Sequence, residues 1–249
     1  MESSLPPPTP EELFSVDAYV RQFDAGVVEL DREHGRVALA RTAFYPGGGG
    51  QPHDLGNLAW DGGRATVVRV ARDEGRIWHW LEGDELPAVG ADLLGTIDWQ
   101  RRHLLMRTHT ALHILCGVVW ADYRVAVTGG NMEPGLGRID FELDAISSEL
   151  GRRLEQRVND EIARTHEIQV EFLARAAADL DPALIRTKAN LIPPHIDPLR
   201  VIDIVSLDRQ ADGGTHVATT AEVGRVQVLK TESKGRANKR VRLAVVDGT

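Results

Sequence analysis

The chain has little cysteine, no excess of positive charge and no long hydrophobic run. Of its 249 residues only Cys116 is a cysteine, so no internal disulfide can form, and a reducing compartment is expected. The formal net charge of −8 excludes a protein that coats nucleic acid over its whole surface, but it permits a local basic patch. No apolar run approaches the roughly 18 residues needed to span a bilayer. The start is Pro-rich and acidic from Leu5 to Glu12, without the basic and apolar regions of a signal peptide. The expected location is the cytoplasm, with residues 1–12 as a flexible lead-in. No internal repeat is visible.

What is present is a globular composition, 42% hydrophobic and 27% charged, in a length that suits one large or two small domains. Short β-branched or aromatic runs at Gly26–Leu30, Arg36–Ala40, Ala65–Val70 and Gly75–Trp80 are split by Gly and Asp turns, at a spacing that suits a small barrel. Around Gly95–Arg102 the pattern changes from strand to helix, which divides the chain into expected domains of 1–98 and 99–249. In the second half, Ile139, Phe141 and Leu143 alternate as in a strand. Leu150, Leu154, Val158 and Ile162 recur at helical spacing behind a Ser147 or Ser148 cap. Further strands are expected at Ile168–Phe172, Leu199–Leu207, Val223–Leu229 and Val241–Val246, with a short helix and a Pro-broken loop over 175–198. The fold class is α+β: a small β-barrel, then helices packed on an antiparallel sheet.

The chain is organised around Arg107–Cys116. Leu104, Leu105, Leu112, Leu115 and Val119 mark a helix, and His109 and His113, four apart, project from one face of it. Two imidazoles one turn apart can grip one metal ion. The best candidates for the remaining ligands lie about a hundred residues downstream, in Asp212-Gly213-Gly214-Thr215-His216, where the glycines let a carboxylate and an imidazole bend toward one point. A zinc protease would keep a Glu directly after the first histidine; here that position is Thr110, so that reading lacks its base.

Two further stretches stand out. Gly47, Gly48, Gly49 and Gly50, followed by Gln51, lack the Lys-Ser/Thr pair of a phosphate-binding P-loop. They read either as an adaptable loop or as bare backbone that approaches another domain or a ligand. Lys230 to Arg242 holds six basic residues against one acidic, Glu232. It is either a solvated hairpin or a phosphate-contacting surface formed by Lys230, Lys234, Arg236, Lys239 and Arg240, with Arg101, Arg102 and Arg107 as extensions.

Together these motifs resemble the AlaX-type alanyl-tRNA editing proteins, free-standing relatives of the editing domain of alanyl-tRNA synthetase. Thr42–Gly56 looks like their glycine-rich motif, and Ile97–Leu115 like their D-W-x-R-R … H-T-A-L-H-L-L segment. Asp208–Gly224 looks like their Q-x-C-G-G-T-H-V … T-x-E-I-G segment, and Ser233–Arg240 like their K-G-x-x-N-x-R turn. The resemblance implies a translation-factor-like barrel followed by an α/β editing domain. It implies hydrolysis of a wrong amino acid, usually serine and sometimes glycine, from tRNA-Ala, with neither DNA nor a membrane as partner; it leaves the oligomeric state open. It also implies a zinc ion (Zn2+) on His109, His113, His216 and position 212. The family's usual ligand there is Cys, and here it is Asp212; a carboxylate is a legitimate, harder zinc ligand.

Serine is larger than alanine, so such a site must recognise a hydroxyl rather than exclude bulk. Thr108 is the candidate for that contact. Backbone N–H groups of Gly213, Gly214 and Thr215 are candidates to face an oxyanion or the terminal adenosine, and Gln210 is a further candidate at the site. The competing expectations are a tRNA-binding module that has lost its chemistry, and a zinc hydrolase of a non-RNA ester.

Overall fold

The computed structural model describes residues 12–73, 75–83, 85–188, 192–194 and 196–247. The Pro-rich lead-in lies outside the described residues except for Glu12, which bridges to Thr42 and pairs with Arg72. The chain divides into two compact units, one ending at His103 and the other running on from Leu104.

The first unit opens with a single turn, α1 (Leu13–Val16), and is built on a closed antiparallel barrel. Its strands are β1 (Gln22–Asp31), β2 (Arg36–Leu39), β3 (Gly56–Trp60), β4 (Gly63–Asp73), β5 (Arg76–Glu82) and β6 (Asp92–Ile97). They close in the order β1-β2-β5-β4-β3-β6. Period-two alternation, broken once in β4 by a register shift between Val67 and Arg69, places Phe23, Val37, Leu58, Val67, Val70, Leu81, Leu93 and Ile97 inside, with Phe44. β3 and β6 carry no obvious strand signal. β6 nevertheless pairs with both β1 and β3 and closes the barrel.

The glycine-rich loop sits between β2 and β3 and is folded rather than loose. Tyr45 and Asp54 close its base through a backbone hydrogen bond of 3.0 Å, and Gly48 and Gln51 exchange two more at 3.1 and 2.9 Å. All four glycines have φ between +57° and +135°, a range other residues rarely adopt, which gives the run its physical reason.

A long helix, α2 (Trp99–Tyr123), leads into the second unit. Among the described residues it is the one helix long and apolar enough to cross a membrane by length and composition, yet 78% of that window is buried, as in a core helix. The second unit continues with β7 (Val127–Glu133), β8 (Leu136–Phe141), α3 (Ser148–Ala163), β9 (Ile168–Leu173), α4 (Arg175–Ala178), β10 (Leu199–Ile204), β11 (Asp208–Ala211), β12 (Arg225–Ser233) and β13 (Lys239–Val246). They form two antiparallel sheets, β12-β13-β8-β7 and β11-β10-β9. Ser147 caps α3 by accepting from Leu150 N, and the buried face Leu154–Val158–Ile162 of that helix packs on β12.

One boundary needs correction. The apolar run Leu199–Leu207, expected as a single strand, turns at 205–207, and the chain returns as β11 antiparallel to β10. The D-G-G-T-H bend therefore leaves the end of a hairpin strand.

Candidate metal centre

His109 and His113 stand one turn apart on α2, and Asp212 and His216 follow β11. One ligand-capable atom from each of the four lies within 4.8 Å of all the others. Asp212 Oδ1 is 3.6 Å from His109 Nε2 and 4.0 Å from His113 Nε2, while Oδ2 is 3.2 Å from His216 Nε2. The His109 and His216 rings stack with centroids 4.3 Å apart.

The bend is held from below. Arg200 on β10 donates from Nη1 to the carbonyls of Asp212 and Gly214 at 3.0 and 2.7 Å, and Asp212 N extends the ladder to Arg200 O. Gly214 N donates to Asp212 Oδ2 at 2.6 Å, which fixes the carboxylate. Thr110 Oγ1 lies 3.2 Å from His216 Nδ1 and accepts from Val217 N.

Burial sets the charge states. It pushes His109 down to about 4, helped by neighbouring His113 and Arg200, and pushes His216 well below its ordinary value. Both rings are therefore neutral at neutral pH, the form in which an imidazole can ligate a metal. Asp212 is held well below the carboxylate range, because the surrounding histidines outweigh its burial. For His113 the Asp208 and Asp212 carboxylates outweigh burial, and its pKa is raised. Three imidazoles and one anionic oxygen in a buried cluster are a donor set for a divalent transition metal such as zinc.

The other expected site residues are placed less uniformly. Thr108 is wholly buried; its hydroxyl donates to Leu104 O at 2.7 Å and accepts from Gly135 N at 3.0 Å, so it serves the helix and the β7–β8 turn. The threonine that faces the cluster is Thr110, two residues on. Gln210 is buried and donates to Asp208. Thr215 is buried in the bend beside Gly214.

Of the basic residues, Arg102 is corrected outright. It is fully buried in the first unit, where it pairs with Asp54 and donates to Ala18 O and Ala43 O. Lys239 is also buried, and its Nζ ties the hairpin turn at Gly235 O. Arg240 forms a double contact with Asp140 at 2.7 and 2.8 Å. Arg107 is anchored to Val223 O, Val246 O and Asp247, and Arg101 donates to His53 O. Lys230, Lys234 and Arg236 remain exposed. Sequence reasoning missed Arg200, Thr110 and Asp208; the one signal for Thr110 was its place directly after a ligand-capable histidine.

A six-stranded barrel joined to a two-sheet unit with a buried histidine–carboxylate cluster defines a two-unit protein with a candidate metal centre. Residues 16–101 match the model of class II (A) tRNA synthetases, and residues 199–242 match that of the threonyl and alanyl tRNA synthetase second additional domain. The chain is 37% identical to the alanyl-tRNA editing protein AlaX-M of Saccharolobus solfataricus, over 93% of this chain and 97% of that protein. It is 32% identical to AlaX-M of Methanosarcina barkeri, over 95% and 99%. It is 33% identical to the alanine–tRNA ligase of Pyrococcus furiosus over 90% of this chain, but only 24% of the ligase. The chain belongs to the AlaX-M family of alanyl-tRNA editing proteins.

Proposed function

We propose that this protein is a trans-editing hydrolase that removes serine, and glycine as a second substrate, from mischarged tRNA-Ala. In this reading His109, His113, Asp212 and His216 hold a zinc ion. The observation that carries it is the convergence of three buried histidines and the half-buried Asp212 in a chain that matches AlaX-M proteins over nearly its whole length. Water adds to the acyl carbon, the ester C–O bond breaks, and the ribose oxygen leaves with a proton. A bound zinc ion supplies positive charge that polarises the ester carbonyl or lowers the pKa of a water.

The chain's own residues supply the setting. Arg200 and Gly214 N hold the bend that presents Asp212 and His216. Thr110 holds His216 from behind. Exposed Lys230, Lys234 and Arg236 are the cations available to RNA phosphates, and the cytoplasm, where tRNA is charged, is the place of action.

The test is hydrolysis of Ser-tRNA-Ala and Gly-tRNA-Ala beside Ala-tRNA-Ala, with zinc-loaded and chelator-stripped protein. Loss of serine or glycine but not alanine, abolished by stripping and restored by zinc, is the expected result. No turnover by folded, zinc-loaded protein overturns the reading and favours a binding module.

A further inference from the structure

His113 lies between two carboxylates on opposite edges of its ring. Its Nε2 faces Asp212 inside the cluster at 4.0 Å, and its Nδ1 faces Asp208 Oδ2 outside it at 3.5 Å. Asp208 opens β11 and its side chain is 0% exposed. A carboxylate this deep needs its charge met. Arg186 Nη2 lies 3.5 Å from Oδ1, and Gln210 donates to Oδ2. Arg186 is itself buried, with its guanidinium 4.2 Å over the ring of Trp120.

The helix is shaped to admit this carboxylate. Gly117 stands one turn after His113, on the same face of α2. A Cβ there would come 2.9 Å from Asp208 Cβ and 3.1 Å from Leu207 O, so α2 can lie this close to the β10–β11 turn only with glycine at that position. His113 Nδ1, Asp208 Oδ1 and Arg186 Nε and Nη1 are all buried without a hydrogen-bond partner. Buried groups of this kind call for an explanation. A carboxylate at 3.5 Å from an unpartnered imidazole nitrogen supplies one.

We propose that Asp208 is the positioning residue of the metal centre: it accepts a hydrogen bond from His113 Nδ1–H and thereby commits the Nε2 lone pair to the ion. The inference rests on the reading of the four-residue cluster as a metal site. A neutral imidazole has one N–H, and without a partner at Nδ1 that proton can sit on either nitrogen. A carboxylate behind a ligand histidine fixes the tautomer and the ring's orientation and raises its basicity. Arg186 and Gln210 hold the carboxylate in place for this task.

Two measurements test it. In zinc-loaded wild-type protein with 15N-labelled histidine, the His113 ring, assigned by its loss in His113→Asn, is expected to carry its proton on Nδ1. In Asp208→Asn, zinc affinity measured by competition with a chromophoric chelator is expected to fall about 10- to 100-fold. A proton on Nε2 in the wild type overturns the proposal, and so does a folded Asp208→Asn protein with wild-type affinity. If Asp208→Asn does not fold, the wild-type spectrum decides alone. A wild type that binds no zinc removes the parent reading as well, whereas wild-type binding with an unchanged variant removes this inference only.

Discussion

Thr110 Oγ1 lies 3.2 Å from His216 Nδ1, although the two residues are 106 apart in the chain. The helix that carries His109 and His113 thus also reaches the far nitrogen of the third histidine. Thr110 Oγ1 already accepts from Val217 N, and this positions it beside the imidazole as the bend arrives. Thr110→Val keeps the shape and removes the oxygen. Zinc affinity by calorimetric titration is expected to drop about 10-fold, with Thr110→Ser close to wild type. A valine variant that binds as tightly as the wild type shows that the hydroxyl has no part in holding His216.

Much of this arrangement is legible in the sequence, and what is not has physical causes. The four ligand-capable residues are readable because helical spacing and a double-glycine bend are local facts. The residues that hold them are not: Arg200 acts across the β10–β11 pairing, and Asp208 and Arg186 act through long-range contacts with α2 and β11, none of which a local pattern reveals. The same holds for the fold. Alternation exposes β1, β2, β4 and β5, but Gly56–Trp60 and Asp92–Ile97 are strands because neighbours pair with them. Val127–Glu133 is hidden by two glycines and an asparagine and is defined by its pairing with β8. Gly117 lies inside α2, and its need for glycine is a long-range one: a side chain there would strike Asp208. The basic stretch misleads because composition counts charges without showing their partners.

Arg102 and Asp54 are both essentially unexposed, and Tyr45 N also donates to Asp54 at 2.6 Å, so the pair pins the base of the glycine-rich loop. Arg102→Met leaves a buried carboxylate without its cation and is expected to cost about 3–5 kcal/mol of stability in chemical denaturation. Once corrected for the folded fraction, the salt dependence of tRNA binding is expected to be unchanged. A stable variant with weakened RNA binding would restore Arg102 to the RNA surface.

His79 is buried in the first unit. Its Nδ1 donates to Val37 O at 3.2 Å, and its Nε2 accepts from Thr42 Oγ1 at 2.9 Å, an arrangement that needs the neutral ring. Burial lowers its pKa from 6.5 to about 4. Between those values the unfolded chain binds a proton that the folded one does not. The stability contribution is therefore full above about pH 6.5 and is lost as pH falls toward 4. His79→Asn keeps a donor for Val37 O and cannot gain the proton. The difference in melting temperature between wild type and variant is expected to shrink from pH 7 to pH 4.5. A constant difference would show that His79 does not titrate in this range.

Glu232 gathers three cations on the β12–β13 hairpin: Arg242 at 2.8 Å, Lys230 at 3.1 Å and Lys234 at 3.6 Å. Arg242 and Lys230 together hold its carboxyl down to about 2, so it stays anionic throughout the working range. The local excess of positive charge is therefore smaller than the sequence count suggests. Removing the anion should enlarge it without moving a single basic residue. Glu232→Gln is expected to bind tRNA more tightly at low salt and to steepen the fall of affinity with salt by up to about one ion for each cation released. Arg236→Ala, at an exposed turn position, is expected to shift both in the opposite direction. Filter binding across a salt series measures both variants. If neither the affinity nor the slope moves in Glu232→Gln, the hairpin does not face the phosphates, and the RNA surface must be sought elsewhere on the protein.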